Sequence, residues 1–271
     1  MGQRAVILSI AGYDPSSGAG ITADIKTAAA NGYYAITCIT ALTVQSSQGV
    51  FGMQPVDPEL VARTLRTLAG DVEIAAVRIG MLGSGEVASV VADFLEAGDL
   101  PNVVLDPVLR SSSGAVLLDA AGLETLRSRL LRVVDIVTPN VAEAAILAGA
   151  RQIEADEGWE VLLPQIRAIT KKLHMLGCRG VVVTGGHLAD ANDYLSISTG
   201  EACQEEVFPG QRIVSRSTHG TGCAFATALA CQLALGRELH EAVPAAKAYV
   251  RRAIETAYPV GKGTGPLNHL G

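Results

Sequence analysis

The sequence predicts a three-layer α/β/α domain built on a mostly parallel β-sheet. Short apolar runs alternate with segments of helical periodicity, which is typical of parallel strands joined by crossover helices. The first run, residues 5–11, is apolar without alternation, as expected for a strand buried on both faces. Polar and glycine-rich segments follow the strands at their carboxyl ends, so we expect them to meet along one edge of the sheet.

Length and charge limit the kinds of partner. With 271 residues, 49% of them hydrophobic, the chain has enough apolar surface for one large core, and we predict a single domain over residues 1–271. The formal net charge of −6 argues against binding to nucleic acid or to an anionic membrane. Small molecules are therefore the expected partners.

The cysteine pattern favours a reducing compartment. The five cysteines are scattered, odd in number and without a CxxC pair, which argues against a disulfide framework and against a zinc site. The chain also has no apolar run of membrane-spanning length. We therefore predict a soluble, cytoplasmic protein.

A loop of small residues follows the first strand. Residues 12–20 read GYDPSSGAG, and a helix is predicted from Thr22 to Asn31. So many small residues in a row favour the close approach of a ligand to the backbone, here around Ala19. Asp24, one turn into the helix, either faces the same crevice or is an ordinary first-turn carboxylate favoured by the helix dipole.

A second apolar strand, residues 36–44, precedes Gln45. The end of a strand is a favourable place for ligand contact, and the Gln45 amide offers donors and an acceptor suited to the edge of an aminopyrimidine. A solvated loop glutamine is the alternative. Residues 48–56 are predicted to form a small flap or edge hairpin over the site.

The middle of the chain continues the alternation. A helix is predicted from Asp57-Pro58, and the next strand, residues 75–79, leads to Met81, either a core residue or a contact for a heteroaromatic ring. After a helix over residues 85–97, the strand 103–105 ends at Asp106, which either binds a cation through water or forms a turn.

The second half of the chain contributes polar residues at two further strand ends. A helix over residues 119–132 and a strand over 135–137 precede Asn140 and Glu143, which share a helix face at i, i+3 spacing. Thr184 follows a strand over 180–183, which a helix over 162–175 precedes. The remaining predicted elements are two edge strands, 192–197 and 207–215, and two helices, 224–235 and 238–258.

The segment STHGTGCAFATALA, residues 217–230, is a glycine turn that leads directly into an apolar helix. Gly220 and Gly222 allow the amides of residues 220–223, including Thr221, to converge where the helix dipole adds positive potential, and residues 213–215 read as a strand before the turn. Cys223 lies in the first helical turn, where a thiol pKa is ordinarily lowered. The alternative is a tight turn with a small core cysteine; His187 and His219 lie nearby without metal-ligand spacing.

The motif HGTGC, together with AGYDPSSGAGITADIKT near the N-terminus, resembles the ribokinase-type kinases. Among them the chain is similar to the hydroxymethylpyrimidine and phosphomethylpyrimidine kinases of thiamine biosynthesis, over nearly its whole length and in matching order. The resemblance implies a ribokinase-like fold, with ATP as donor and Mg²⁺ as its cation. It also implies two successive reactions, from 4-amino-5-hydroxymethyl-2-methylpyrimidine to the monophosphate and then to the diphosphate.

The resemblance also implies roles for individual residues. Gly220, Thr221, Gly222 and Cys223 would form the catalytic turn, and Ala19, Asp24, Gln45, Met81 and Val108 would bind the pyrimidine. Asn140, Glu143 and Thr184 would support ATP, with Asp106 and Glu143 holding Mg²⁺ through water. Many relatives have lysine where this chain has Thr184, so either Mg²⁺ carries more of the charge neutralisation or another basic residue, such as Arg216, takes the place of the lysine.

The sequence leaves two other functions open and disfavours a third. A pyridoxal or pyridoxine kinase acts on a similar hydroxymethyl-bearing ring, and a non-catalytic pyrimidine sensor would explain the loss of the usual aspartate base and lysine. A dinucleotide-dependent dehydrogenase is disfavoured, because the first loop lacks GxGxxG and no acidic residue ends the second apolar strand at Val44. Dimers are common in similar kinases, so a homodimer is possible.

Overall fold

The structure is a computed structural model that describes residues 4–151, 153, 158–186, 188, 190–200 and 202–271. In this part of the chain the strands are β1 (Val6–Tyr13), β2 (Tyr34–Ser46), β3 (Gly49–Pro55), β4 (Ile74–Ile79), β5 (Val103–Leu105), β6 (Ile136–Val137), β7 (Gly180–Val183), β8 (Asp193–Ser198) and β9 (Cys203–Phe208). The helices are α1 (Gly20–Ala30), α2 (Pro58–Asp71), α3 (Gly85–Ala97), α4 (Ala120–Thr125), α5 (Leu131–Val133), α6 (Val141–Leu147), α7 (Trp159–Met175), α8 (Thr221–Ala234) and α9 (Leu239–Glu255).

The described strands form one sheet in the order β3-β2-β1-β4-β5-β6-β7-β8-β9. Strands β2, β1, β4, β5, β6 and β7 are parallel to one another, whereas β3 pairs antiparallel with β2 at one edge, and β8 and β9 continue the sheet antiparallel from β7 at the other. The predictions of a mostly parallel sheet, an edge hairpin near residues 48–56 and antiparallel strands before the glycine turn are thus confirmed.

Helices cover both faces of this sheet. On β1, Leu8 and Ile10 belong to the apolar cluster that contains α2, α3 and α7, while Ile7 belongs to the cluster that contains α8 and α9. Side chains of a strand point alternately to its two faces, so a continuous apolar run contributes side chains to both apolar clusters. The three-layer prediction is confirmed, and none of the described helices is long and apolar enough to cross a membrane.

Local sequence signals set several helix starts. The Asp57 side chain accepts a hydrogen bond from the backbone N–H of Leu60, with Pro58 at the first helical position, and Ser84 caps α3 by accepting from Val87. Each cap satisfies an N–H group that the first turn leaves without a partner inside the helix. The predicted helix over residues 119–132 is present, with a π-helical turn at Leu126–Leu130 between α4 and α5.

The predicted strand over residues 207–215 is wrong for most of its length. Strand β9 ends at Phe208, since Pro209 cannot donate to a ladder and the Gly210 N–H donates instead to the Asn192 side chain. Residues 213–215 form no strand, and Val214 is fully exposed. The glycine turn is therefore reached through an irregular segment. His187 lies outside the described residues.

Candidate active site

The glycine turn and the loop after β1 touch each other at the carboxyl edge of the sheet. Gly220 caps α8 in the left-handed region, with φ of 84°. A Cβ atom added to Gly220 would lie 2.0 Å from the carbonyl oxygen of Gly18. Only glycine fits this conformation and this spacing, so the turn packs directly on the backbone of the first loop.

The amino end of α8 faces the open side of this contact. The helix begins at Thr221, and Gly222 is exposed. Amides in the first turn have no acceptor inside their own helix, and the helix dipole adds positive potential there. The turn can therefore bind phosphate oxygens, as its sequence suggested.

Cys223 lies half-buried in the first turn of α8. Burial raises the pKa of its thiol to about 11; Arg78 opposes this shift, whereas the carboxylates of Asp106 and Asp24 add to it. The expectation of a lowered thiol pKa at this helix terminus is wrong for the free protein, because burial and two carboxylates outweigh the dipole. The thiol is protonated at neutral pH.

A buried ion-pair network, which the sequence analysis missed, lies next to Cys223. Arg78 on β4 is fully buried; its Nη1 lies 3.0 Å from Oδ2 of Asp24, and its Nη2 lies 2.7 Å from Oδ2 of Asp106. The available signal was a charged residue inside the apolar run IAAVRI, because arginine is rarely buried unless it is paired.

Asp24 does not face an open crevice, contrary to one of the two interpretations. Besides Arg78, its carboxylate accepts hydrogen bonds from Ser9 Oγ at 2.6 Å and from Thr227 Oγ1 at 2.9 Å, and the residue is fully buried. Burial raises the pKa of Asp24 although Arg78 opposes the shift. Asp24 thus lies on the face of α1 that packs against the core, and its contacts link α1 to β1, β4 and α8.

Two carboxylates approach each other at the ends of β5 and β6. Burial raises the pKa of Asp106, against the opposing charge of Arg78. Burial also raises the pKa of Glu143 to about 8, and the charge of Asp106 adds to the shift. Asn140 and Glu143 form a capping box at the start of α6, in which each side chain accepts from the other's backbone N–H. The carboxylates are close enough to repel each other.

This pair suits a hard divalent cation such as Mg²⁺. Carboxylate oxygens are preferred ligands of Mg²⁺, and a cation near Glu143 would relieve the repulsion that raises its pKa. Within the described residues, no group of three His, Cys, Asp or Glu side chains could hold a metal ion. Two carboxylates would leave the remaining coordination positions of Mg²⁺ to water and to the phosphates of a nucleotide.

Thr184 lies beside the capping box. Its backbone N–H donates to Pro139 at 2.9 Å, and Thr184 forms a parallel bridge with Asn140. The structure thus brings together the strand ends of β6 and β7, as the sequence suggested. Arg216 is exposed in the segment before the glycine turn, where its carbonyl accepts from the Gly265 N–H at 2.8 Å.

The predicted pyrimidine contacts fall into two groups. Met81 is buried, and Val108 packs against the small apolar cluster that contains it, so these two lie together. Ala19 belongs to the first loop and precedes α1, with its N–H 2.9 Å from Asp14 Oδ2. Gln45 lies within β2 and borders a cavity of about 350 Å³, together with the first loop and His219.

The Asp14–His219 pair is a second feature that the sequence analysis did not assign to a site. His219 Nε2 lies 2.8 Å from Asp14 Oδ2, and Gly18 packs against the imidazole ring. Burial alone would raise the pKa of Asp14, but hydrogen bonds from His219 and Ser16 hold it below its usual value. The pair therefore links the first loop to the residue before the glycine turn.

Fold and site together define a class of protein. A three-layer sheet with a glycine turn at a helix terminus, and with carboxylates beside it at the carboxyl edge, is the arrangement of the ribokinase-type phosphotransferases. The chain belongs to the phosphomethylpyrimidine kinase family, whose family model matches residues 14–268.

Curated relatives agree with this family. The chain is 41% identical to the hydroxymethylpyrimidine/phosphomethylpyrimidine kinase of Salmonella typhimurium, covering 99% of this chain and 98% of that protein. It is 40% identical to the thiamine biosynthesis bifunctional protein ThiED of Geobacter sulfurreducens, covering 98% of this chain. It spans only 52% of the length of that bifunctional relative.

Solved structures have the same fold. A Bacillus subtilis pyridoxal kinase in complex with ADP has a TM-score of 0.85 at 30% identity, with 98% of both chains covered. A phosphomethylpyrimidine kinase from Clostridium difficile 630 has a TM-score of 0.78 at 32% identity, covering 93% of this chain and all of that one. The ribokinase-like fold expected from the sequence is thereby confirmed.

Proposed function

We propose that this protein transfers the γ-phosphoryl group of ATP to 4-amino-5-hydroxymethyl-2-methylpyrimidine, and then a second phosphoryl group to the resulting monophosphate. The observation that carries the proposal is the glycine turn of residues 220–223 at the amino end of α8, beside the Asp106 carboxylate. The similarity to hydroxymethylpyrimidine/phosphomethylpyrimidine kinases supports the choice of substrate.

The glycine turn would hold the phosphoryl oxygens during transfer. Phosphoryl transfer depends mainly on alignment and on neutralisation of charge, and backbone N–H groups at a helix terminus supply both. Gly222 has no side chain to block these amides, and a Cβ there would lie 3.8 Å from Asp106 Oδ2. Asp106 is thus close to the backbone of the turn.

Cys223 would guide the hydroxymethyl proton. Because burial keeps the thiol protonated in the free protein, it begins as a hydrogen-bond partner of the substrate oxygen. To accept the hydroxymethyl proton it must first pass its own proton to the Asp106 carboxylate, its hydrogen-bond partner, and the nearby Arg78 favours the thiolate that results.

Asp106 and Glu143 would hold Mg²⁺ through water, while Asn140 and Thr184 support the nucleotide phosphates. When bound, the cation neutralises charge on the phosphates. Asn140 contributes by fixing the Glu143 side chain through the capping box. Gln45, Met81, Val108 and Ala19 remain the proposed contacts of the pyrimidine. Asp24, which is buried, would act through Arg78 instead.

Pyridoxal kinase is the second candidate, favoured by the high structural similarity to the Bacillus subtilis enzyme of that name. Both substrates are six-membered heteroaromatic rings with a hydroxymethyl group, so the same turn would serve either. Gln45 favours the aminopyrimidine, because its amide matches a ring nitrogen beside an amino group.

The test is a coupled ADP-release assay with Mg-ATP, run separately with hydroxymethylpyrimidine, its monophosphate and pyridoxal. We expect turnover on both pyrimidines and little on pyridoxal. Turnover on pyridoxal alone would replace the proposal with the second candidate. No ADP release with any of the three substrates, together with binding of the pyrimidine in calorimetry, would indicate a sensor.

A further inference from the structure

The side chains of Asp14, His219 and Gln45 form a chain of polar contacts, in which His219 and Gln45 line the 350 Å³ cavity. His219 Nε2 lies 2.8 Å from Asp14 Oδ2 and 3.1 Å from Gln45 Nε2. On its other side Gln45 Oε1 lies 3.1 Å from Thr43 Oγ1, which is also 2.9 Å from the carbonyl oxygen of Tyr13. These contacts together determine which way the amide faces.

The Asp14 carboxylate decides the protonation of His219 Nε2. The pKa of Asp14 is lowered, so its carboxylate is ionised and accepts hydrogen bonds. It already accepts from the N–H groups of Ser16, Gly18 and Ala19. At 2.8 Å, His219 Nε2 must therefore carry a proton and donate it toward Asp14.

An N–H on His219 needs an acceptor in Gln45, not a second donor. The donors and acceptors match once the amide is turned by 180°, so that Oε1 faces His219 and the NH2 group faces Thr43 Oγ1. The His219 N–H is then shared between Asp14 and Gln45 Oε1, and the Thr43 proton goes to the Tyr13 carbonyl. The opposite orientation places an NH2 group against an N–H.

We propose that His219, held by Asp14, is a positioning residue that fixes the Gln45 amide with Oε1 toward the imidazole and the NH2 group toward Thr43. One N–H and one lone pair of the amide then remain for a ligand, in a fixed order. That order matches a ring nitrogen next to an exocyclic amino group and orients that edge in one direction. The inference rests on the proposed function, in which Gln45 contacts the pyrimidine.

A thermodynamic cycle tests the coupling between His219 and Gln45. Binding of 4-amino-5-hydroxymethyl-2-methylpyrimidine is measured by calorimetry without ATP, for wild type, His219→Phe, Gln45→Ala and the double variant. We expect each single change to weaken binding about tenfold, and the double variant to bind within about threefold of Gln45→Ala. Additive losses, about a hundredfold in the double variant, would overturn the inference.

His219→Gln is the conservative control. Its terminal N–H can take the place of the imidazole Nε2, so we expect pyrimidine affinity within about threefold of wild type and unchanged affinity for ADP. If His219→Gln binds as weakly as His219→Phe, the role is not one of hydrogen bonding and the inference fails. Should His219→Phe not fold, His219→Asn, whose amide is too short to reach both partners, replaces it in the cycle.

The binding cycle and the turnover assay fail in different ways. Wild type that binds the pyrimidine without phosphorylating it would refute the proposed reaction, while the binding cycle would still test the coupling between His219 and Gln45. Wild type that phosphorylates the pyrimidine but shows additive losses would refute the positioning role alone. Wild type that does not bind the pyrimidine would overturn both.

Discussion

Arg78 and Asp106 form a buried ion pair, with Nη2 of the guanidinium 2.7 Å from Oδ2 of the carboxylate. Gly80 leaves room for this guanidinium, since a Cβ there would lie 2.1 Å from Nη1. The pair lies beside the glycine turn and the Cys223 thiol, so the charge of Arg78 acts on the residues proposed to transfer the phosphoryl group.

Arg78→Met should strongly destabilise the protein, because it leaves the buried carboxylates of Asp24 and Asp106 without their counter-charge. Breaking a buried pair costs about 3–5 kcal/mol, which we expect as a fall in Tm of roughly 6–15 °C in calorimetry. Arg129→Met is the matched control. Arg129 pairs with Asp93 and Glu96 at the surface, where the expected loss is below about 1 kcal/mol. Equal losses of Tm in the two variants would contradict the role of Arg78 as the counter-charge of the buried carboxylates.

Cys223→Ser should reduce kcat well over tenfold in the ADP-release assay. A serine hydroxyl gives up its proton far less readily than a thiol, and a positioned proton acceptor contributes about 10²–10⁴-fold in rate. Cys231→Ser on the same helix is the control, since Cys231 is buried farther from the turn. A kcat near that of wild type would exclude Cys223 from the chemistry.

Alkylation of Cys223 by iodoacetamide should be slow at pH 7 and rise about tenfold per pH unit toward pH 11. Only the thiolate reacts, and burial raises the pKa of this thiol to about 11. Peptide mapping by mass spectrometry gives the rate at each pH, with the half-buried Cys203 as a reference thiol outside the site. A rate that levels off below pH 9 would show that the helix dipole lowers the pKa of the Cys223 thiol more than burial raises it.

Without Mg²⁺, the free energy of unfolding should fall as pH rises from about 4.5 to 8. The Glu143 pKa is raised to about 8 in the folded protein from a value of 4.5, so the folded state holds a proton that the unfolded state releases. The loss is at most a few kcal/mol. Glu143→Gln should flatten this slope in urea titrations with EDTA, because a glutamine keeps the capping acceptor without the charge. The slope remaining unchanged in Glu143→Gln would assign it to other groups.

Gly220→Ala and Gly222→Ala should separate folding from function. Gly220→Ala forces a Cβ into the left-handed region and to 2.0 Å from the Gly18 carbonyl, which costs at least about 1–2 kcal/mol and lowers Tm. Gly222→Ala meets nothing closer than 3.8 Å, so Tm should stay within about 2 °C. Its methyl group would nevertheless crowd the amides, and we expect a tenfold or greater loss in kcat/KM. Full activity of Gly222→Ala would contradict phosphate binding at this turn.

The layered fold and the location of the candidate site follow from local signals in the sequence. Apolar runs such as Val103–Leu105 and Gly180–Val183 specify buried strands, and the segments after them must meet at one edge because parallel strands share a direction. Gly220 marks the turn, because few other residues adopt its left-handed backbone, whereas Gly222 has an ordinary helical backbone. These signals are local, so they can be read without knowing what packs against them.

The protonation states and ion-pair partners of the site residues depend on the tertiary structure. Whether Cys223 is a thiol or a thiolate depends on burial and on Asp24, Asp106 and Arg78, which come from distant parts of the chain. The same holds for Asp24, whose partners Ser9, Arg78 and Thr227 no spacing rule connects. Charge effects depend on distance and desolvation in three dimensions, so the sequence locates these residues along the chain while the fold sets their protonation and partners.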